Sequence, residues 1–182
     1  MKKTAIYLLF FLLFISCKDD FIIDINSKKT SEKEFKITLT TNFPENTIFS
    51  ITAERIYKRK NNGNYYGGVH YYSSEYGIKN GKLEFILKVN DSMWINNYNQ
   101  YREDGNLNEF KNKKLTEIDY KSIKDSIEIS VVYSPRFLFN QKSNVKKSLG
   151  ENGENIKGKG TIKMDGIKVF EKSIKIFSKF EK

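Results

Sequence analysis

The sequence predicts an all-β fold, an antiparallel β-sandwich with one short helix. After Glu34, apolar and polar residues alternate with a period of two through most of the chain, which is typical of strands that bury one face. Turn residues divide these runs into short strands, and no long stretch has the helical period. Together these observations indicate two packed sheets.

The first three strands are predicted from alternating runs before residue 77. The turn at residues 42–46 joins the first two runs, so we expect them to form an antiparallel pair. A third strand is expected from Tyr66 to Tyr76, after the turn at residues 61–64. The apolar residues of the first two runs are Phe35, Ile37 and Leu39, followed by Phe49, Ile51 and Ala53.

Asn80 and Gly81 predict a hairpin between the third strand and the next one. Both residue types tolerate the positive φ of a type I′ turn. The run that follows has its apolar residues at Leu83, Phe85, Leu87 and Val89.

The segment from Asn90 to Tyr120 is less regular, and we expect a long connection with at most one short strand. Surface connections of this kind often carry function. Further strands are expected over residues 127–133, ended by Pro135, and over residues 161–164 and 169–180. Val145 and Leu149, four residues apart before Gly150, predict the short helix.

Three segments also resemble a group of extracytoplasmic immunoglobulin-like domains, many of which occur on lipoproteins. They are residues 42–47, 80–82 and 150–158, and the resemblance covers Glu34 to Phe177. It implies an immunoglobulin-like sandwich and transfers no functional site. The Cys and Trp signature of antibody domains is absent, because Cys17 precedes the domain and Trp94 is the only tryptophan.

The first sixteen residues are typical of a secretory signal peptide. Lys2 and Lys3 precede an uncharged, mostly apolar run from Ala5 to Ile15, and Ser16 precedes the only cysteine. The run is far shorter than the roughly 20 residues of a membrane-spanning helix. We therefore expect residues 1–16 to be removed.

Leu13-Phe14-Ile15-Ser16-Cys17 resembles the lipobox of bacterial lipoproteins. The resemblance implies that Cys17 is lipidated and anchors the chain to a membrane, where two or three acyl chains hold stably. The alternative is an ordinary signal peptide with a chance cysteine, but a lone cysteine in a secreted chain then has no disulfide partner.

Lys18-Asp19-Asp20 resembles the signal of surface-exported lipoproteins in Bacteroidetes-type Gram-negative bacteria. It implies an outer-membrane protein that faces outward. The alternative is a charged, solvated linker. We expect residues 17–33 to be the lipidated N-terminus with a flexible tether, and residues 34–182 to form the domain.

The charge and the chemistry-bearing residues predict a protein without a catalytic site, metal or cofactor. The net charge of +10 becomes +8 without Lys2 and Lys3, and the lysines are scattered with no nucleic-acid motif, so we expect no nucleic-acid partner. His70 is the only histidine, and on a regular strand it points away from the face of Ser73. We interpret it as a half-exposed strand residue.

A tyrosine-rich strand around His70 is the candidate binding surface, together with Trp94. Adjacent tyrosines send one ring to each face of a strand, and exposed rings stack on sugars or anchor protein partners. A simpler explanation, which we favour, is that tyrosine is a good strand former with one face in the core. The tyrosines are Tyr65, Tyr66, Tyr71, Tyr72 and Tyr76.

The sequence therefore predicts a surface-anchored, non-catalytic lipoprotein for macromolecular interaction or envelope assembly. Its partners are the membrane, through the lipid anchor, and a protein or a glycan. A glycan-binding accessory lipoprotein that uses the tyrosine-rich strand is the alternative.

Overall fold

The computed structural model describes residues 20–60, 62–104, 116–136 and 141–181, and it confirms the all-β sandwich. Within these ranges, two helices and a short 3-10 helix, Tyr120–Ser122, accompany the strands. In chain order the strands and helices are β1 (Ile23–Ser31), β2 (Glu34–Thr41), β3 (Ile48–Arg59), β4 (Asn62–Gly77), β5 (Lys82–Lys88), α1 (Asp91–Asp104), β6 (Ile118–Asp119), β7 (Ser126–Tyr133), α2 (Ser143–Leu149), β8 (Thr161–Met164) and β9 (Ile167–Phe177).

The strands form two antiparallel sheets. One has the order β1-β2-β5, and the other has the order β4-β3-β7-β9-β8, with β6 paired to the end of β3. The chain changes sheets between β2 and β3, between β4 and β5, and again between β5 and β6. Two antiparallel sheets between which the chain crosses in this way form a β-sandwich.

A single apolar interior, here called the main core, fills the space between the sheets. Strands β2, β3 and β7 bury every second residue, as their alternating sequences predict. The main core includes Ile25, Phe35, Ile37, Leu39, Phe85 and Leu87 from one sheet and Phe49, Ile51, Ala53, Ile127, Ile129, Val131, Tyr133 and Phe170 from the other.

Helix α2 confirms the predicted short helix and closes one side of the main core. Val145 and Leu149 are fully buried there. Gly150 follows with a φ of 91°, a conformation that suits glycine after a helix, and its amide donates to the carbonyl of Lys146. The predicted final strands are also present as β8 and β9.

Strand β1 corrects the predicted tether. It pairs with β2 from Ile23 opposite Thr41 to Ser31 opposite Glu34, so the sandwich begins at Ile23 and not at Glu34. Only its first two odd-numbered residues, Ile23 and Ile25, are buried. The rest of this edge strand is exposed, so its sequence lacks the alternation that reveals a strand.

The predicted pairing of the first two runs is wrong, because β2 and β3 lie in opposite sheets. Residues 42–46 form an arch across the sandwich. Phe43 is buried in this arch and meets Phe49 and Phe170 edge-on, with ring centroids 5.2 and 5.4 Å apart. Because Phe43 is apolar and buried, the connection crosses the main core and joins β2 to β3 in the other sheet.

The predicted hairpin at Asn80 and Gly81 is also wrong, although the turn itself is correct. The two φ angles are 51° and 65°, as a type I′ turn requires, but the turn closes only one bridge, between Lys79 and Lys82. Strand β5 then joins the other sheet, because fully buried Ile78 draws the chain across the main core.

Helix α1 replaces most of the connection that we expected after Asn90. The side-chain oxygen of Asn90 accepts from the amide of Met93 at 3.0 Å and so caps the helix start. Trp94, Ile95 and Tyr98 follow at helical spacing, a signal that could have revealed the helix. The expected short strand is present as β6.

Candidate binding groove

Helix α1 follows β5 immediately and packs against β4, where it covers a second interior. We call this interior the helix-covered cluster. Its buried residues are Tyr57, Trp94, Ile95 and Ile118, and half-buried aromatic side chains surround them. The cluster fixes one face of α1 and leaves the opposite face exposed.

A buried ion pair locks α1 to the sheet. Arg55 of β3 has no exposed surface, and its Nε and Nη2 donate to the two carboxylate oxygens of Asp91 at 2.6 and 3.0 Å. Its Nη1 donates to the carbonyls of Lys124 at 2.8 Å and Ser178 at 2.7 Å. The guanidinium therefore joins β3, the start of α1 and the segment after β9.

Two more side chains converge on Asp91. Trp94 Nε1 donates to Oδ1 at 3.0 Å, and His70 Nε2 lies 3.4 Å from the same oxygen. Burial opposes the charge on Asp91, but the nearby imidazole of His70, the hydrogen bonds from Arg55 and Trp94 and the charge of Arg55 prevail, and they lower its pKa to about 2. Asp91 is therefore an anion at neutral pH.

His70 is buried, which corrects the expectation of a half-exposed strand residue. Its Nδ1 accepts from the amide of Asn90 at 3.2 Å, while Nε2 faces Asp91. The hydrogen bond at Nδ1 thus helps to position the start of α1. A β-bulge at His70 also breaks the regular alternation of faces that we assumed, because Ala53 pairs with Tyr71 and the next residue of β3 pairs with Val69.

Between α1 and β4 lies an open groove of about 370 Å³. The helix contributes Trp94, Asn97, Tyr98 and Tyr101 to one wall. The strand contributes Gly67, Gly68 and Val69 to the other, and Tyr57 of β3 also lines the groove. Volumes of about 300–1,000 Å³ are usual for small-ligand sites.

The two glycines give the strand wall its shape. A Cβ on Gly68 would lie 2.5 Å from Cδ2 of Trp94, so only glycine lets the indole pack directly on the strand. A Cβ on Gly67 would lie 1.5 Å from Oε2 of Glu54. The sequence shows this glycine pair, but its purpose depends on side chains that are remote in the chain.

The floor of the groove is a packed aromatic stack. Trp94 and Tyr57 are stacked with ring centroids 5.2 Å apart, and Tyr98 meets Tyr57 edge-on at 5.5 Å. Nearby, the guanidinium of Arg59 lies 3.8 Å from the ring centroid of Tyr66. The groove therefore has a preformed base.

The predicted binding-surface residues do not form one surface. Tyr65, Tyr72 and Tyr76 are exposed, whereas Tyr66 is half-buried beneath Arg59. Tyr71 stacks on Phe85 of the other sheet at 4.4 Å. His70 and Trp94 are buried, and Trp94 is only 4% exposed, so it is a structural base rather than an exposed platform.

The residues that sequence reasoning missed are Tyr57, Val69, Asn97, Tyr98 and Tyr101. Tyr101 has 59% of its surface exposed, and Val69 is also exposed. The helical spacing of Trp94, Tyr98 and Tyr101 is the signal that could have grouped three of the helix residues. No local pattern places them opposite the glycine pair.

Of the residues predicted for lipidation and export, Cys17, Lys18 and Asp19 lie outside the described residues. Asp20 is exposed, and its carbonyl accepts from Nδ2 of Asn42 at 2.9 Å. Within the described ranges, no helix is long and apolar enough to cross a membrane. No three His, Cys, Asp or Glu side chains of the same ranges are grouped to hold a metal ion.

The structure therefore shows a β-sandwich with a groove between α1 and β4, which is the candidate binding site. In comparisons with protein-family models, curated proteins and solved structures, nothing matches this chain. The function must therefore be argued from the site and its placement.

Proposed function

We propose that this chain is an outer-membrane lipoprotein, anchored through Cys17 and displayed on the cell surface, whose non-catalytic sandwich binds another macromolecule in the groove. The observation that carries the proposal is the placement of the groove, which lies at the end of the sandwich remote from the anchored N-terminus.

The chain is fastened to the sandwich directly after the proposed anchor. Oδ1 of Asn42 accepts a hydrogen bond from the amide of Ile22 at 2.8 Å, and its Nδ2 donates to the carbonyl of Asp20. The amide of Phe21 donates to the carbonyl of Lys157 at 2.9 Å. Cys17 and Asp20 are only three positions apart in the chain, a span of at most about 11 Å. A lipid on Cys17 would hold this end of the sandwich close to the membrane.

The groove lies at the other end of strand β3. Ile48 begins β3 beside the arch that contains Asn42, and Ile56, eight residues later, pairs with Gly67 at the groove. Eight residues of strand correspond to roughly 26 Å. A lipid-anchored chain would thus present the groove away from the bilayer, where partners approach.

The exposed rim of the groove suits binding. Tyr101 and Val69 line it and are exposed, and Met93 is exposed on the same helix. Tyrosine is enriched where binding energy concentrates, because its ring offers a large contact area and a polar hydroxyl. Tyr101 and Val69 line the same groove as the packed aromatic floor.

The anchor is tested by fractionation and by protease treatment of intact cells. We expect wild-type protein in the outer membrane and accessible to protease, and Cys17→Ser released from the membrane. Replacing Lys18, Asp19 and Asp20 with Ala should leave the protein membrane-bound but protected from protease. Equal digestion of this variant and wild type would contradict the export signal.

The groove is tested by crosslinking on intact cells, followed by recovery of the tagged chain. We expect Tyr101→Ala to lose the crosslinked species. Tyr72→Ala is the matched control, because Tyr72 is equally exposed but does not line the groove. Recovery of the same species from both variants would show that binding does not depend on the groove.

A further inference from the structure

Among the residues that the structure describes, those that line the groove carry no charge, although the protein is strongly basic. The chain has a net charge of +10 and 30% charged residues, and the described lining consists of aromatic, amide, glycine and valine residues. Burial raises the pKa values of the Tyr57 and Tyr98 hydroxyls, so both are neutral at physiological pH. A ligand with a net charge would find no counter-charge among these described lining residues.

The chemistry of the two walls matches the two kinds of surface on a sugar. The exposed ring of Tyr101 offers an apolar face on which the C–H face of a pyranose can stack. The exposed amide of Asn97 supplies both donors and an acceptor for sugar hydroxyls. On the opposite wall, Gly68 is covered by the indole of Trp94, and the exposed lining residues are Gly67 and Val69.

The form of the groove favours a segment of a chain over a small enclosed ligand. The groove is open to solvent and has a volume of about 370 Å³, at the lower end of ligand sites. An oligosaccharide can place one or two rings in such a space while the rest of the chain continues beyond it.

We propose that the groove binds a neutral oligosaccharide, with one sugar ring stacked on Tyr101 and its hydroxyls hydrogen-bonded to Asn97. This inference rests on the proposed function, because it names the ligand class of the same groove. Trp94 and Tyr57 act as positioning residues that hold the helix wall in place.

The test is calorimetry with the full-length lipoprotein in a detergent that lacks a sugar headgroup. The probes are malto-, cello-, xylo- and manno-oligosaccharides, with polygalacturonate as an acidic comparison. We expect one neutral series to bind and its Kd to be insensitive to salt, because no ion pair is involved. Tyr101→Ala should weaken binding about tenfold, and Asn97→Ala should also weaken it.

Tyr72→Ala is again the control and should bind like wild type, and matching thermal melts show that each variant is folded. Absence of binding by every neutral series at millimolar concentration would overturn the proposal. So would equal binding by Tyr101→Ala and Tyr72→Ala, or salt-sensitive binding of polygalacturonate alone. If no sugar binds but Tyr101→Ala still loses a protein crosslinked on cells, the saccharide class fails while the proposed function stands.

Discussion

The inward face of strand β3 passes through two different interiors. Phe49, Ile51 and Ala53 enter the main core, where their neighbours are almost entirely apolar. The next inward positions are Arg55 and Tyr57, and they enter the region under α1, with a buried ion pair and stacked aromatic rings. One strand with an unchanged alternation thus serves two kinds of packing.

A buried apolar side chain and a buried charged side chain make different demands on their neighbours. An apolar side chain is stabilised by contact with any apolar neighbour, so each position of the main core tolerates many neighbouring side chains of suitable volume. Arg55 requires an anion at one place, because an unpaired buried charge is very costly. We infer that the ion pair with Asp91 fixes where α1 docks more than it adds to overall stability, and that the groove depends on this docking.

Asp91→Ala gives the largest expected effect, because it leaves the buried guanidinium of Arg55 without its counter-ion. We expect the free energy of unfolding to fall by about 3–5 kcal/mol. Urea denaturation measures the change. Asp104→Ala, at the exposed end of the same helix, is the control and should change stability by less than about 0.5 kcal/mol. Similar losses in both variants would contradict the role of the ion pair.

Ile25→Ala tests the main core at β1, the strand for which the sequence predicted a flexible tether. Ile25 is buried, so its truncation should cost about 2–5 kcal/mol through lost burial and a cavity. Neighbouring Ile22 is exposed, and Ile22→Ala should cost less than about 0.5 kcal/mol. If thermal denaturation finds Ile25→Ala as mild as Ile22→Ala, β1 does not belong to the cooperative fold.

Gly68→Ala tests the contact between α1 and β4. The added Cβ would meet the indole of Trp94, and we expect a loss of about 1–3 kcal/mol together with altered Trp94 fluorescence. Gly63→Ala on the same strand is the control, because a Cβ there has no neighbour within 4 Å. Unchanged fluorescence in Gly68→Ala would show that the indole does not pack on the strand.

The pH dependence of stability gives the smallest expected effect. Since the pKa of Asp91 is about 2 in the folded protein, below its ordinary value of 3.8, its contribution is complete above about pH 5 and is lost as the pH falls. We expect Asp91 to account for about 1 kcal/mol of the stability lost between pH 6 and pH 3. Urea titrations of Asp91→Asn should show a correspondingly weaker acid dependence, and an identical dependence would contradict the assignment.

Local sequence patterns correctly predicted secondary structure where periodicity or the conformational preference of turn residues alone determined it. Strand β7 and helix α2 follow the predicted periods, and the turn at Asn80 and Gly81 has the positive φ values that its residues favour. The pairing of strands was not predictable in the same way. Alternation tells which residues face an interior, but it does not tell which sheet a strand joins, and buried Phe43 and Ile78 decide that at the two arches.

The candidate groove was harder still to predict from the sequence. Its parts come from β3, β4 and α1, and no local period relates the glycine pair to Tyr101. Edge strand β1 was missed for a related reason, because most of its side chains are exposed and only pairing with β2 gives it a structure.

The sequence by itself determined the fold class, most strand positions, the short helix before Gly150 and the expectation of a lipid anchor at Cys17, because periodicity, turn chemistry and the N-terminal pattern are local properties. The tertiary structure alone decided the exchange of strands between sheets, the docking of α1 through Arg55 and Asp91, and the neutral groove beside Gly68. These features depend on contacts between residues far apart in the chain, and such contacts leave no local period to detect.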